Sequence, residues 1–140
     1  MTSALINRRS VRRVLFITSN EGFRDSFSSF LRMNDFDVVQ SGHGFQALNL
    51  LENSPIPVMI VIIGPDIQVL TAPEVISLIR ARYAKKDLPI IQVLNVNDKE
   101  EGIDTVTKSF VNELIKMPLA PIWLLKKIQE CLSLQEEFKE

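Results

Sequence analysis

Val58-Met59-Ile60-Val61-Ile62-Ile63, running into Gly64-Pro65, is the most apolar stretch of the chain. Six consecutive apolar residues closed by a Gly-Pro break are too short for a buried helix. They read as a strand covered on both faces, the pattern of the centre of a parallel sheet. Working outward, Val14-Leu15-Phe16-Ile17 is a second such run and ends in Thr18-Ser19-Asn20. Leu88–Leu94 and Val111–Ile115 read as a fourth and a fifth strand, and Phe36–Gln40 is a less apolar strand suited to a sheet edge. Helical spacing fills the intervals. Phe23, Phe27, Phe30 and Leu31 follow a cap at Ser19 or Asn20, and Ala47, Leu48 and Leu51 precede Pro55 and Pro57. Val75, Leu78, Ile79 and Arg82 lie along a helix opened near Pro73-Glu74. Ile103, Val106 and Phe110 mark a weak helix, and Leu124, Leu125, Ile128, Cys131 and Leu132 form a clean stripe after Pro121. Strict alternation with right-handed crossovers predicts a three-layer (βα)5 doubly wound parallel sheet.

In such a sheet the crevice outside the strand carboxyl ends is where chemistry takes place. Here the first and third strands bring no carboxylate to it, while Lys116 ends the fifth.

The bulk composition excludes several classes. One hundred and forty residues suit one domain, and 46% apolar with 24% charged residues is an ordinary globular balance. A net charge of −1 argues against a nucleic-acid-binding body. Arg8, Arg9, Arg12 and Arg13 form the one basic cluster, ahead of the first strand, and residues 1–12 are expected as a disordered arm. The body is expected over 13–132, with 133–140 extending the last helix or starting a linker. Cys131 is the single cysteine, so no internal disulfide forms, in keeping with a reducing compartment. No signal peptide or membrane-length run is visible, and the expected location is cytoplasmic.

The segment order resembles the receiver domain of bacterial two-component response regulators, from about Arg13 to Leu132. Val14–Asn20 resembles the first receiver strand, which normally ends in an acidic pair. Ser41-Gly42-His43-Gly44-Phe45-Gln46-Ala47-Leu48 resembles the second-helix signature. Pro57–Ile63 resembles the third strand, Leu88–Ile91 opens the fourth, and Lys116 followed by Pro118 is similar to the family's Lys-Pro. The resemblance implies a flavodoxin-like strand order 2-1-3-4-5.

It also implies where chemistry should sit, and most of those positions fail. The acidic pair that would hold Mg²⁺ is Thr18 and Ser19. The phospho-acceptor falls on Ile63, or on Gly64 if the register slips by one. The hydroxyl position is Leu94, beside Asn95, and the aromatic switch position is Glu113. Only Lys116 is kept, with Met117 inserted before Pro118. Mg²⁺ needs hard oxygen ligands, and phosphoryl transfer needs the metal to offset charge. The expectation is therefore no enzyme activity, no metal and no cofactor. Asp66 is the one candidate for a displaced acceptor, since Asp37 points elsewhere. His43, the only histidine, lacks a second ligand at metal spacing and reads as solvated. Thr18 and Ser19 lack a base that would make them nucleophiles.

Function then moves to the surface. Trp123 lies among Lys126, Lys127 and Glu130, away from the apolar stripe, with Ile122 on the border. An aromatic on a polar face suits a protein contact. The expectation is a phosphorylation-independent pseudo-receiver with a protein partner or second copy on Glu113, Ile122, Trp123 and Lys126. This is the face of fourth helix, fifth strand and fifth helix that the family uses for contacts. Nucleic acid and membrane are not expected partners. The alternative is a small-ligand or anion sensor whose crevice uses Thr18, Ser19, Asn20, Gly64 and Lys116.

Overall fold

The five segments read as strands form one parallel sheet, in the spatial order second, first, third, fourth, fifth. The computed structural model describes residues 11–99 and 103–139, with side chains to Ser133. The strands are β1 (Arg12–Ile17), β2 (Phe36–Ser41), β3 (Val58–Ile63), β4 (Ile90–Leu94) and β5 (Glu113–Lys116). The helices are α1 (Glu21–Met33), α2 (Gly44–Asn53), α3 (Ala72–Arg80), α4 (Thr105–Phe110) and α5 (Pro121–Lys139). The expected strand order and three layers are those observed.

Alternation along each strand divides the core in two. Val14 and Phe16 of β1, Ile60 and Ile62 of β3, and Ile91 and Val93 of β4 face α1 and α5, meeting Phe23, Phe27, Leu31, Leu124 and Ile128. Leu15, Ile17, Val61, Ile63 and Ile90 face the opposite way, onto Ala47 and Leu51 of α2 and Val75, Ile76 and Ile79 of α3. Each face buries enough branched aliphatic surface to hold its helices, at roughly 25 cal/mol per Å² of apolar area.

Three expectations about the elements change. The inward residues of α3 are Val75, Ile76 and Ile79. Leu78 is exposed, and Arg82 lies beyond the helix end, ion-paired with Glu52. In α4 Thr107 is buried and Phe110 packs against the core as expected, while Val106 is exposed. The Asp104 cap, bonded to Thr107 N at 2.6 Å, fixes that register. Arg12 and Arg13 belong to β1 and to the folded body. Arg12 lies 4.1 Å from the Phe36 ring centre, and Arg13 pairs with Asp37 at 2.5 Å. Arg8 and Arg9 lie outside the described residues.

Candidate functional site: the strand-end crevice

The crevice is built where β1 and β3 stop side by side. Ile17 pairs with Ile63, and Gly64 N donates to Ile17 O at 2.8 Å. Ile63 turns its side chain into the α2–α3 core. Gly64 is therefore the strand-end position opening toward the crevice, beside Thr18. That space is already filled. A Cβ on Gly64 would lie 2.9 Å from Thr18 Cβ, 2.9 Å from Phe23 Cε1 and 3.1 Å from Thr18 Oγ1.

Thr18 and Ser19 spend their hydroxyls on backbone. Thr18, fully buried, donates Oγ1 to Pro65 O and accepts from Asn20 N at 3.1 Å. Ser19 donates both its N–H and its Oγ–H to Asp66 O, each at 2.6 Å. These bonds strap the loop after β3 across the end of β1.

The same loop is fastened to the loop after β2. Gln68 N donates to Gly42 O at 3.2 Å, Gly44 N donates to Gln68 O at 3.4 Å, and Leu70 packs where a Cβ on Gly44 would stand. Two of the loop's residues take left-handed backbone, Asp66 at φ 61° and Val69 at φ 76°. The second is costly for a β-branched side chain.

The remaining candidates are scattered. Lys116 pairs in register with buried Leu94, and its exposed ammonium has no hydrogen bond or ion pair among the described residues. An anion cluster of Lys116 with Thr18 and Ser19 is not assembled, because both hydroxyls donate to carbonyls. Asp66 keeps an exposed carboxylate whose Oδ1 accepts from Asn95 Nδ2 at 3.4 Å. Asp37 is engaged by Arg13. His43 is the N-cap of α2, its Nδ1 accepting from Gln46 N at 3.3 Å, rather than a solvated loop residue. Among the described residues no three His, Cys, Asp or Glu side chains gather as a metal site, and no helix is long and apolar enough to cross a membrane.

On the far side of β5, Glu113 pairs with Lys127 at 3.6 Å, and this carboxylate is the chief reason the Lys127 ammonium is held above its ordinary pKa. Trp123 is 55% exposed, with Lys126 Nζ 4.6 Å from its ring centre, and Ile122 is 44% exposed. Cys131 is buried, and desolvation pushes its thiol up to about 11.

The strap and the His43 cap escaped the sequence reading. The strap's signal was present in Thr18-Ser19 facing Gly64-Pro65, small hydroxyl side chains opposite a position without one. Another missed feature is an open groove of about 530 Å³ beside the crevice, between α1 and the loops around Val96 and Met117-Pro118.

No family model matches the chain, and no curated protein sequence matches it. Solved structures do. A "probable two-component system response regulator/GGDEF domain protein" superposes with a TM-score of 0.80 at 21% identity, over 94% of this chain and 52% of that one. The chain thus spans about half the length of that relative. The CheY-like receiver domain from Methanospirillum hungatei JF-1 gives 0.77 at 21% identity, over 91% and 98%. Chemotaxis response regulator CheY4 of Vibrio cholerae gives 0.73 at 20%, over 87% and 99%. The structural neighbours are CheY-like receiver domains, and at these identities the likeness is one of fold.

Proposed function

We propose that this chain is a receiver-like signalling module that takes up no phosphoryl group and acts through protein contacts, as a pseudo-receiver without enzymatic activity. The observation that carries this reading is the filled end of β3. Gly64 stands where the fold's phospho-acceptor would project, and the Thr18 and Phe23 side chains occupy the acceptor's space. Thr18 and Ser19, in place of an acidic pair, lend their hydroxyls to Pro65 and Asp66 carbonyls. Such a donor set does not fit Mg²⁺, which asks for near-octahedral oxygen ligands, usually carboxylates.

With the acceptor position at the end of β3 filled, the reading places signalling on the surface. The exposed pair Ile122 and Trp123, next to Lys126 and the Glu113–Lys127 ion pair, supports a contact face around α5. Mn²⁺ as a paramagnetic substitute for Mg²⁺ tests the crevice directly. The amide signals of Thr18, Ser19 and Gly64 are expected to stay sharp at millimolar metal. Selective broadening of those three contradicts the reading.

One observation favours the ligand alternative, the unpaired ammonium of Lys116. The Thr18 and Ser19 hydroxyls that would complete an anion site are already in use, so inorganic phosphate and nucleotides are expected to leave the melting temperature unchanged. A saturable upward shift that Lys116→Met abolishes would restore the anion-sensor reading.

A further inference from the structure

The loop after β3 is held at two places, and only one of them can respond to acid. Its first half, Pro65 and Asp66, is held by the hydroxyls of Thr18 and Ser19 and by the Ser19 N–H, groups that do not titrate near neutrality. Its second half is held by the start of α2. Gln68 and His43 form a single parallel bridge, with Gln68 N donating to Gly42 O at 3.2 Å and Gly44 N donating to Gln68 O at 3.4 Å. Leu70 and Val75 fill the space where a side chain on Gly44 would stand, 2.8 Å and 2.9 Å from that Cβ position. Between these contacts Val69 is exposed at φ 76°, a conformation that costs a β-branched residue and is kept only by what flanks it.

The start of α2 depends in turn on His43. Its Nδ1 accepts from Gln46 N at 3.3 Å, and its carbonyl accepts from Ala47 N at 3.1 Å. A serine or asparagine oxygen caps a helix over the whole of this pH range, whereas an imidazole nitrogen accepts only while it carries no proton. Protonation makes Nδ1 a donor facing a donor, and sets a positive charge at the positive end of the helix dipole. The first turn of α2 has no acidic residue to offset that charge. The ionisable groups on the surrounding elements are Glu21, Arg24 and Asp25 of α1, Glu52 of α2, Asp66 of the loop and Glu74 of α3. Arg24 pairs with Asp25 and Glu52 with Arg82, Glu74 accepts from Thr71 N, and Asp66 accepts from Asn95. Among the described residues none of these groups forms an ion pair with His43.

We propose that His43 is a proton-sensitive latch on this loop. As pH falls through the imidazole range, the cap on α2 is lost and the second half of the loop is released from Gly42 and Gly44, while the first half stays strapped to β1. The sign follows from the acceptor: neutral imidazole holds the latch closed, and imidazolium opens it. Release uncovers the apolar seat that Gly44 and Val75 provide for Leu70. The inference goes beyond the signalling reading and does not depend on it, since protons rather than phosphoryl groups act on the loop.

His43 is the only histidine, so its ring signal in a nuclear magnetic resonance spectrum is unique. The full chain is followed from about pH 8 to about pH 5.5, the span in which imidazole changes charge. The Gln46 amide shift is expected to move with the His43 ring signal at the same midpoint. The exchange protection of the Gly44 and Gln68 amides, corrected for intrinsic rate, is expected to fall roughly five- to tenfold, the equilibrium worth of a cap with its dipole contribution. The Ser19 amide, which donates to Asp66 O, keeps its protection. His43→Asn supplies a cap that does not titrate and keeps Gly44 and Gln68 protected throughout, whereas His43→Ala leaves them poorly protected at both ends of the range. A Gln46 amide that ignores the ring titration overturns the proposal, as does flat Gly44 and Gln68 protection in the parent chain. A pH response that persists in His43→Asn places the titrating group elsewhere and overturns it as well.

Discussion

At the scale of single residues, Gly64 carries the account. Its lack of a side chain is required by close approach and not by backbone conformation, since its φ is not in the left-handed region. A methyl group there meets Thr18 and Phe23 at 2.9 Å, and Phe23 is itself wedged between Phe16, at a 5.4 Å ring separation, and Phe27 at 4.4 Å. Gly64→Ala is expected to lower unfolding free energy by ~1–3 kcal/mol, the usual range for overpacking a core, read from a urea melt. Gly64→Asp is expected to cost more, because its carboxylate enters an apolar space without a partner. An alanine variant as stable as the parent would mean that the strand end is open. The sequence exposed this residue only as one of two registers, Ile63 or Gly64. Composition could not choose between them. Side-chain alternation with Val61 pointing to one core and Ile62 to the other decides it.

At the scale of elements, α3 is fastened at both ends. Its start is a capping box, Thr71 with Glu74, the Glu74 carboxylate accepting from Thr71 N at 3.0 Å. Its end is Arg80, whose guanidinium donates to Phe110 O at 2.7 Å, Leu88 O at 2.8 Å, Tyr83 O at 3.2 Å and Asn112 Oδ1 at 3.1 Å. Burial pushes that guanidinium down to about 10, so it remains charged at neutral pH and each carbonyl bond is charge-assisted. Arg80→Met leaves several acceptors without donors, and a loss of ~2–4 kcal/mol is expected in equilibrium unfolding. Arg80→Lys is expected to recover little, since an ammonium cannot reproduce the planar fork. A methionine variant within ~0.5 kcal/mol of the parent would show that the clamp is incidental. Helix existence was legible from spacing, as α1 and α5 demonstrate. The inward face of the short helices was legible in part: Ala47, Leu51, Val75, Ile79 and Phe110 face the core as their spacing predicts, whereas Leu78 and Val106 do not, because caps and clamps that act through backbone groups set the register of α3 and α4.

At the scale of the whole molecule, the strand order was legible because long apolar runs admit few places in a sheet, and the filled acceptor position was legible only as missing carboxylates. What replaces them, hydroxyls strapped to a neighbouring loop, depends on two segments about 47 residues apart in sequence meeting across the β1–β3 pair, as their bonds record.

Stability should also follow pH through the caps. Glu74 and Asp104 have pKa values lowered, chiefly by hydrogen bonds from the Thr71 and Thr107 backbones. A depressed carboxylate stabilises the fold above its unfolded value, 4.5 for Glu74 and 3.8 for Asp104, and that contribution is lost as pH falls through the lowered folded value. Melting temperature is expected to hold at neutral pH and decline below those values, with Glu74→Gln and Asp104→Asn together flattening the decline. An unchanged acid limb in that double variant would place the titration elsewhere.

The central claim is that this receiver-like fold takes no phosphoryl group. Incubation of the full chain with a small phosphodonor and Mg²⁺, followed by intact-mass measurement, tests it most directly. The account predicts an unchanged mass; a stoichiometric gain of ~80 Da, the mass of a phosphoryl group, localised to Asp66 would contradict it.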